Sequence, residues 1–214
     1  MSPAERREGR RQRLLEAGLH EFGTVGFGAT SIEILCRTAK VTPRYFYEYF
    51  STREALMQAV YDKVAAEVLA EVGVAVRDTD PGDGEGMIRA GVGSFFRQMV
   101  DDPAKAKILY IESVGINAEI ELRRRLVLHQ FAGFIAEQAV DVMDDVTLPE
   151  GSLDVVTLAF VGGISEIVID RIFGFITKPA EELAQEMSTM LLENIYGVVQ
   201  RVGVPTLTED RAES

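Results

Sequence analysis

The sequence predicts an all-α protein in which a small N-terminal helical domain is followed by a larger helical domain. Apolar residues recur at helical spacing along most of the chain, and helix start signals follow one another closely near the N-terminus. No stretch shows the sustained alternation typical of a strand. In the C-terminal part, helices are expected near 86–101, 103–113, 117–145, 152–175 and 179–202. We place the small domain at residues 1–53 and the larger one at 54–214, with a fourth helix at 52–76 connecting them.

Helix 1 is expected to begin among arginines and to end at Gly26, a residue that commonly terminates helices. Its predicted apolar face consists of Leu14, Leu15, Leu19, Phe22 and Val25. The arginines at 6, 7, 10, 11 and 13 are either a solvated helix end or contacts to phosphate, and both interpretations stay open.

Residues 30–54 read as two short helices and the start of a third. A Thr-x-x-Glu capping box at Thr30 is predicted to start the first helix, and a Ser-x-x-Glu box at Ser51 to start the long one. Thr42 and Pro43 are placed at the N-cap and first position of the middle helix. A short turn between two such helices is typical of the helix-turn-helix, whose second helix can enter a DNA major groove.

The second of these helices carries side chains suited to reading DNA. The Thr42 hydroxyl either binds a phosphate or only caps the helix. Arg44 is expected to bond guanine, with a merely solvated arginine as the alternative, and Tyr45 offers its ring to a thymine methyl. Phe46 and Phe50 share one face and are assigned to the core.

The charge is unevenly distributed along the chain. The 214 residues, 47% of them hydrophobic, carry a net charge of −12. Residues 1–53 nevertheless hold nine basic and six acidic residues, a net charge of +3, whereas the remainder carries −15. Because attraction to phosphate acts over about 8 Å at physiological salt, the local charge matters more than the total, and it suits a nucleic-acid partner.

Several classes of protein are disfavoured. One Cys excludes an internal disulfide, and one Cys with two His disfavours a structural zinc site. The charged N-terminus predicts no secretory signal, and the apolar run from Val155 to Ser165 is too short to span a bilayer. Nucleophile motifs and a dinucleotide fingerprint are absent from the sequence. We therefore expect a cytoplasmic protein that is not an enzyme and has no metal, cofactor or membrane partner.

A set of residues matches a known pattern in order and spacing: Phe22, Gly26, Phe27, Ala29, Thr30, Ile34, Ala39, Val41, Tyr47, Tyr49, Phe50, Glu54, Ala55 and Leu56. Through them, residues 6–64 resemble the DNA-binding domain of the TetR (tetracycline-repressor-like) family of transcriptional regulators. The resemblance implies a homodimer on a palindromic double-stranded operator, most often a repressor, released by a small-molecule ligand that the sequence does not identify.

The recognition helix and the positions that match the family together predict the DNA-contacting residues: Thr30, Lys40, Thr42, Pro43, Arg44, Tyr45, Tyr47, Tyr49 and Arg53. Three departures from the family pattern bear on the operator, and one is that Arg44 and Tyr45 are bulkier than the small pair usually found. Lys40 stands where a turn glycine is common, and a left-handed backbone there would cost about 1 kcal/mol. Glu48 replaces an aromatic residue or His, and is expected to reject certain bases or to pair with an arginine.

The resemblance also implies a ligand cavity in the larger domain. We expect it to be lined by Phe95, Phe96, Met99, Tyr110, Glu112, Asn117, His129, Phe131, Phe134, Phe160 and Glu166, with core packing as the alternative for each aromatic residue.

A partner chain is expected to cover part of the segment 155–176. This segment is apolar on most faces, and a helix that is apolar all round must be buried all round. In the family, the last two long helices form a four-helix bundle with their copies. The predicted interface residues are Phe160, Gly163, Ile164, Ile167, Met187, Leu191 and Val198.

Two other functions stay open. One is a DNA-binding architectural or cell-division factor of the same fold that lacks a small-molecule inducer. The other is an all-helical enzyme with a carboxylate pair hidden in the cavity, which the absence of any catalytic motif disfavours.

Overall fold

A computed structural model of the chain describes residues 2–139, 146–202 and 204–205. Its helices are α1 (Pro3–Thr24), α2 (Ile32–Ala39), α3 (Pro43–Tyr49), α4 (Arg53–Arg77), α5 (Gly84–Asp101), α6 (Pro103–Lys107), α7 (Ala118–Ala139), α8 (Asp154–Ile172) and α9 (Ala180–Val202). A π-helical turn, Ile108–Glu112, follows α6 directly. Two short segments, β1 (Val146–Thr147) and β2 (Val204–Pro205), pair antiparallel. The all-α prediction is confirmed.

The helix start signals were placed correctly at α3 and one residue early at α2 and α4. Thr42 is the N-cap of α3 and Pro43 its first residue, as predicted. The N-cap of α2 is Ser31, whose Oγ accepts from the Ile34 backbone N–H at 3.3 Å. Thr52, rather than Ser51, caps α4. Both capping boxes predicted for these helices were therefore wrong, because each helix begins one residue later than its Thr or Ser would require.

The helix α4 joins the two halves of the molecule. Its first turns bury Leu56 and Val60 against α1, and its last turns bury Val72 and Val76 beside α5. The buried side chains form one cluster along the chain. The division into residues 1–53 and 54–214 remains a prediction, but any shift of α4 would be felt in both halves.

The helices α1 and α6 also touch directly. A Cβ built on Gly23 would lie 2.6 Å from the Ala104 Cβ and 2.9 Å from its Cα. Only glycine therefore allows α6, in the larger half, to lie this close to α1 in the smaller half. None of the described helices combines the length and apolar character needed to cross a bilayer.

Candidate DNA-binding surface and ligand cavity

The short helix α3 presents one buried and one exposed face. Phe46 is fully buried, whereas the Tyr47 residue is 58% exposed and the Arg44 side chain 87% exposed. The exposed Thr42 makes no side-chain capping bond, so its hydroxyl is free of that role. The exposed face thus presents an arginine, a tyrosine and a free N-terminal turn, which are groups that bind base edges and phosphates.

The sequence indicated that Glu48 is able to pair with an arginine, and it does so with Arg44. The Arg44 Nε lies 3.8 Å from the Glu48 Oε1, one helical turn away. Because the Arg44 side chain is 87% exposed and the Glu48 side chain 39% exposed, the pair is weak and a phosphate or a guanine can displace it.

The turn between α2 and α3 places Lys40 in the left-handed conformation, with φ 53° and ψ 47°. A lysine here carries the steric cost that the sequence suggested. The turn is braced from α1, since the Arg13 Nε donates to the Ala39 carbonyl at 3.1 Å. The Lys40 residue itself is exposed beside α3.

A second arginine of α1 reaches α3. The Arg10 guanidinium carbon lies 3.9 Å from the centre of the Tyr45 ring, a cation–π contact that leaves Tyr45 half-buried. Sequence spacing gave no signal for this contact, because the two residues lie on different helices far apart in the chain.

Three predicted DNA-contacting residues point into the protein instead. Thr30 is fully buried, and its hydroxyl donates to the Gly26 carbonyl at 2.8 Å. The Tyr49 hydroxyl is buried and has no hydrogen-bond partner among the described residues. Arg53 donates to the Phe27 and Thr30 carbonyls at 3.1 and 2.8 Å, so it braces the domain rather than reaching outward.

Glu112 was expected in the ligand cavity and instead bridges the two halves of the chain. Its Oε2 accepts from the Phe27 backbone N–H at 2.8 Å. The Phe27 ring lies beneath the Arg53 guanidinium, 4.1 Å from its carbon. The carboxylate thus joins the end of the π-helical turn to the segment between α1 and α2.

The larger half contains a cavity of about 330 Å³, enclosed by α4, α5, α7, α8 and α9 with the π-helical turn. A volume of this size is typical of a small-molecule site. Six predicted residues line it: Phe95, Tyr110, Phe131, Phe134, Phe160 and Glu166.

The other predicted cavity residues lie elsewhere. Phe96 and Met99 are buried in the core outside the cavity lining. Asn117 accepts from the Ile120 N–H at the start of α7, which is a capping role. His129 is exposed on α7. The sequence showed which residues are aromatic or polar, but not which side of each helix faces the cavity.

Polar cavity residues were missed on α4 and α7. The most informative are Tyr61, Glu121, Arg124 and Arg125. Extending the helical spacing from Phe131 back towards the start of α7 would have found the last three, since positions three and four residues apart share a face.

Two tyrosines that line the cavity, Tyr61 and Tyr110, remain protonated. Burial raises the pKa of Tyr61 to about 12, against the weaker opposing effect of Arg124. Burial also raises the pKa of Tyr110, against the weaker opposing effects of Ser165 and Arg124. Both phenols are therefore neutral and retain a proton to donate.

The predicted dimer interface is largely buried within the single chain. Five of its residues, Phe160, Ile164, Met187, Leu191 and Val198, are between 1% and 7% exposed and face the core of their own chain. Gly163 and Ile167 are half-buried. The exposed stripe of α8 instead contains Val155, Ala159, Gly162 and Glu166. The apolar pattern did not distinguish burial by the chain itself from burial by a partner.

Comparisons with known proteins agree with this geometry. Residues 14–60 match the model of the tetR family of bacterial regulatory proteins. A comparison with curated proteins finds no match.

Solved structures share the fold along nearly the whole chain. The fatty acid degradation regulator FadR from Bacillus halodurans superposes with a TM-score of 0.72 at 15% identity, covering 90% of this chain and 96% of its own. FadR from Bacillus subtilis in complex with stearoyl-CoA gives 0.70 at 12%, covering 84% and 96%. A TetR-like transcriptional regulator from Rhodococcus sp. RHA1 gives 0.68 at 16%, covering 88% and 96%. Residues 14–60 thus carry the N-terminal domain of the tetR family of bacterial regulatory proteins, and the chain has the fold of the solved regulators named above.

Proposed function

We propose that the protein is a homodimeric, sequence-specific DNA-binding regulator, a repressor that leaves its operator when a small molecule fills the cavity. The observation that carries the proposal is the exposed face of α3 in a domain of net charge +3, within a chain of net charge −12. A positively charged DNA-binding domain on an otherwise acidic protein favours one orientation on DNA and disfavours non-specific binding.

The exposed residues of this face divide into two roles. Arg44 reads a base pair, since an arginine at the start of a recognition helix can bond guanine O6 and N7 together. Thr42, Lys40 and Tyr47 bind phosphates and fix the register of α3 in the groove. Tyr45, held under Arg10, adds a contact to a base or a neighbouring phosphate.

The dimer in this proposal forms through the exposed stripe of α8 and the adjoining part of α9. Val155, Phe173 and Phe175 are 79%, 62% and 79% exposed on or just after α8, and Met190 and Tyr196 of α9 are 40% and 38% exposed. Apolar side chains gathered on two long helices are typical of a surface that binds another protein. A second copy supplies the same surface, and symmetry then places two α3 helices on a palindrome.

Ligand control follows from the position of the π-helical turn. Leu109 and Tyr110 of this turn line the cavity, while Glu112 at its end holds the Phe27 N–H. π-helical turns are often found at functional sites. A ligand that displaces this turn would shift the segment before α2, because Glu112 connects the two. The Bacillus subtilis neighbour, solved with stearoyl-CoA, supports a ligand-binding role for this fold.

Selection of bound DNA from a random pool, at two salt concentrations, tests this function. We expect enrichment of a palindrome with half-sites one helical turn, or a multiple of it, apart. Binding without an enriched site that weakens steeply with salt would indicate phosphate attraction alone, and would favour the architectural role instead.

A further inference from the structure

The cavity has a polar end and an apolar end. Its polar end contains Tyr61, Tyr110 and Arg124, which all line the cavity. The Arg123 side chain, next along α7, bonds Asp62 of α4 at 2.5 Å.

The remaining lining residues extend away from this polar end. Phe95 and Phe131 meet in the middle with ring centres 6.5 Å apart. Gly91 lies beside Val72 and Val76 at the far end. Tyr61 and Val76, which both line the cavity, lie about 22 Å apart along α4 at 1.5 Å per residue. A volume of about 330 Å³ over that length leaves room for a narrow, extended molecule.

One nitrogen of the Arg124 guanidinium lacks an acceptor. Its Nη1 donates to the Glu121 Oε2 at 2.9 Å, but its Nε is buried without a hydrogen-bond partner among the described residues. Glu121 bonds the Nη1 and not the Nε, and its other oxygen accepts from the Gly115 N–H at 2.7 Å. A buried donor of this kind is normally satisfied in the functional state.

The other charged groups of the lining do not change the balance at this point. Arg125 and Glu166 carry opposite charges, so their effects on a charged head group oppose each other. The donors at the polar end are therefore Arg124, with its buried Nε, and the two neutral phenols, while Glu121 is bonded to Arg124 and to the Gly115 N–H.

We propose that the cavity binds an unbranched amphiphile whose oxygen head accepts from Arg124 and whose apolar chain runs past Phe131 towards Val76. The head is the carboxylate of a long-chain acid or the carbonyl of its thioester, which share this chemistry. The inference rests on the ligand role under the proposed function, and names the class of ligand.

Isothermal titration of the full chain tests the head group, using hexadecanoate, hexadecan-1-ol and hexadecylamine below their micellar concentrations, with the coenzyme A thioester as a fourth ligand. We expect the carboxylate or the thioester to bind tightest and the amine weakest, since the amine brings a positive charge to Arg124. Which of the first two binds more tightly identifies the natural form of the head.

Arg124→Gln tests the assigned donor, and Arg123→Gln is its matched control, because each removes one positive charge from neighbouring positions of α7. Loss of a hydrogen bond to a charged group should weaken carboxylate binding at least about tenfold in Arg124→Gln. The control should stay within about twofold, since Arg123 bonds Asp62 instead. Equal losses in the two variants would overturn the assignment.

Ile135→Phe tests the direction of the chain. Ile135 lines the cavity beyond Phe131 and Phe134. Added bulk there should shift the preference from hexadecanoate to shorter acids while the preference for carboxylate over amine persists. An unchanged preference for chain length would overturn the proposed path of the chain. Failure of every chain to bind would overturn the ligand class and leave DNA selection unaffected, so this failure differs from that of the proposed function.

Discussion

At the scale of single residues, the DNA-binding surface depends on which polar side chains the fold leaves exposed. The sequence showed Thr30, Arg44 and Arg53 as equal candidates for DNA. The structure buries Thr30, turns Arg53 onto the Phe27 and Thr30 carbonyls, and leaves Arg44 exposed. These differences depend on contacts between α1, α2 and α4, which residue type and local spacing do not encode. Local features, such as Thr42 and Pro43 at the start of α3, were predicted correctly because they involve only neighbouring residues.

Replacement of Lys40 by glycine should stabilise the protein. Glycine adopts φ 53° without steric cost, so Lys40→Gly should raise the free energy of unfolding by about 1 kcal/mol and Tm by about 2–4 °C. Thermal unfolding measures this. Lys40→Ala is the control, because it removes the charge but keeps the strain. Equal stabilisation by alanine would show that charge, rather than backbone conformation, determines the effect.

Arg44→Ala should relax the preference at one base pair of each half-site by about 1–3 kcal/mol. Fluorescence anisotropy with the selected operator and single-base variants measures the change. Arg37→Ala, which removes an exposed arginine from α2, should leave the order of preference unchanged. If Arg44→Ala weakened binding to all sequences equally, Arg44 would be a phosphate contact.

At the scale of elements, helical periodicity predicted the long helices well. The predicted segments 86–101, 152–175 and 179–202 correspond to α5, α8 and α9. The segment 103–113 is helical as expected, but periodicity gave no warning of its π-helical turn, since one extra residue in a turn leaves little trace in so short a pattern. The end of the predicted helix 117–145 lies partly outside the described residues. The π-helical turn, which periodicity did not predict, lines the cavity and also contacts the small domain.

Glu112→Ala should uncouple the cavity from the small domain. It removes the carboxylate that accepts from the Phe27 N–H, so ligand should still bind while its effect on operator affinity falls towards zero. Operator titrations with and without ligand measure that effect. Glu112→Gln retains an acceptor oxygen and should behave nearly as the unaltered protein. Full ligand control in the alanine variant would place the coupling in the α1–α6 contact instead.

At the scale of the whole molecule, the sequence predicted two connected helical halves and burial of the 155–176 segment, which the single chain buries on one side only. It did not show what covers that segment. Ile164 is 7% exposed within one chain, so a charge there would unfold the protein rather than separate a dimer. The exposed stripe of α8 is where a dimer can be tested without disturbing the core.

Ala159→Arg should convert the protein to a monomer while its thermal unfolding stays near that of the unaltered chain, because the residue is exposed within one chain. Light scattering measures the mass. Ala70→Arg, the same change at an exposed position of α4, should leave the dimer intact. A dimer that survives Ala159→Arg would place the interface on another surface.

The most direct test of the account is the linkage between cavity and operator. Operator affinity should be measured with and without a saturating long-chain carboxylate, after titration has shown that the carboxylate binds. We expect affinity to fall by about 5- to 150-fold, and operator DNA to weaken carboxylate binding by the same factor. Unchanged operator affinity with the cavity occupied would contradict ligand control of DNA binding.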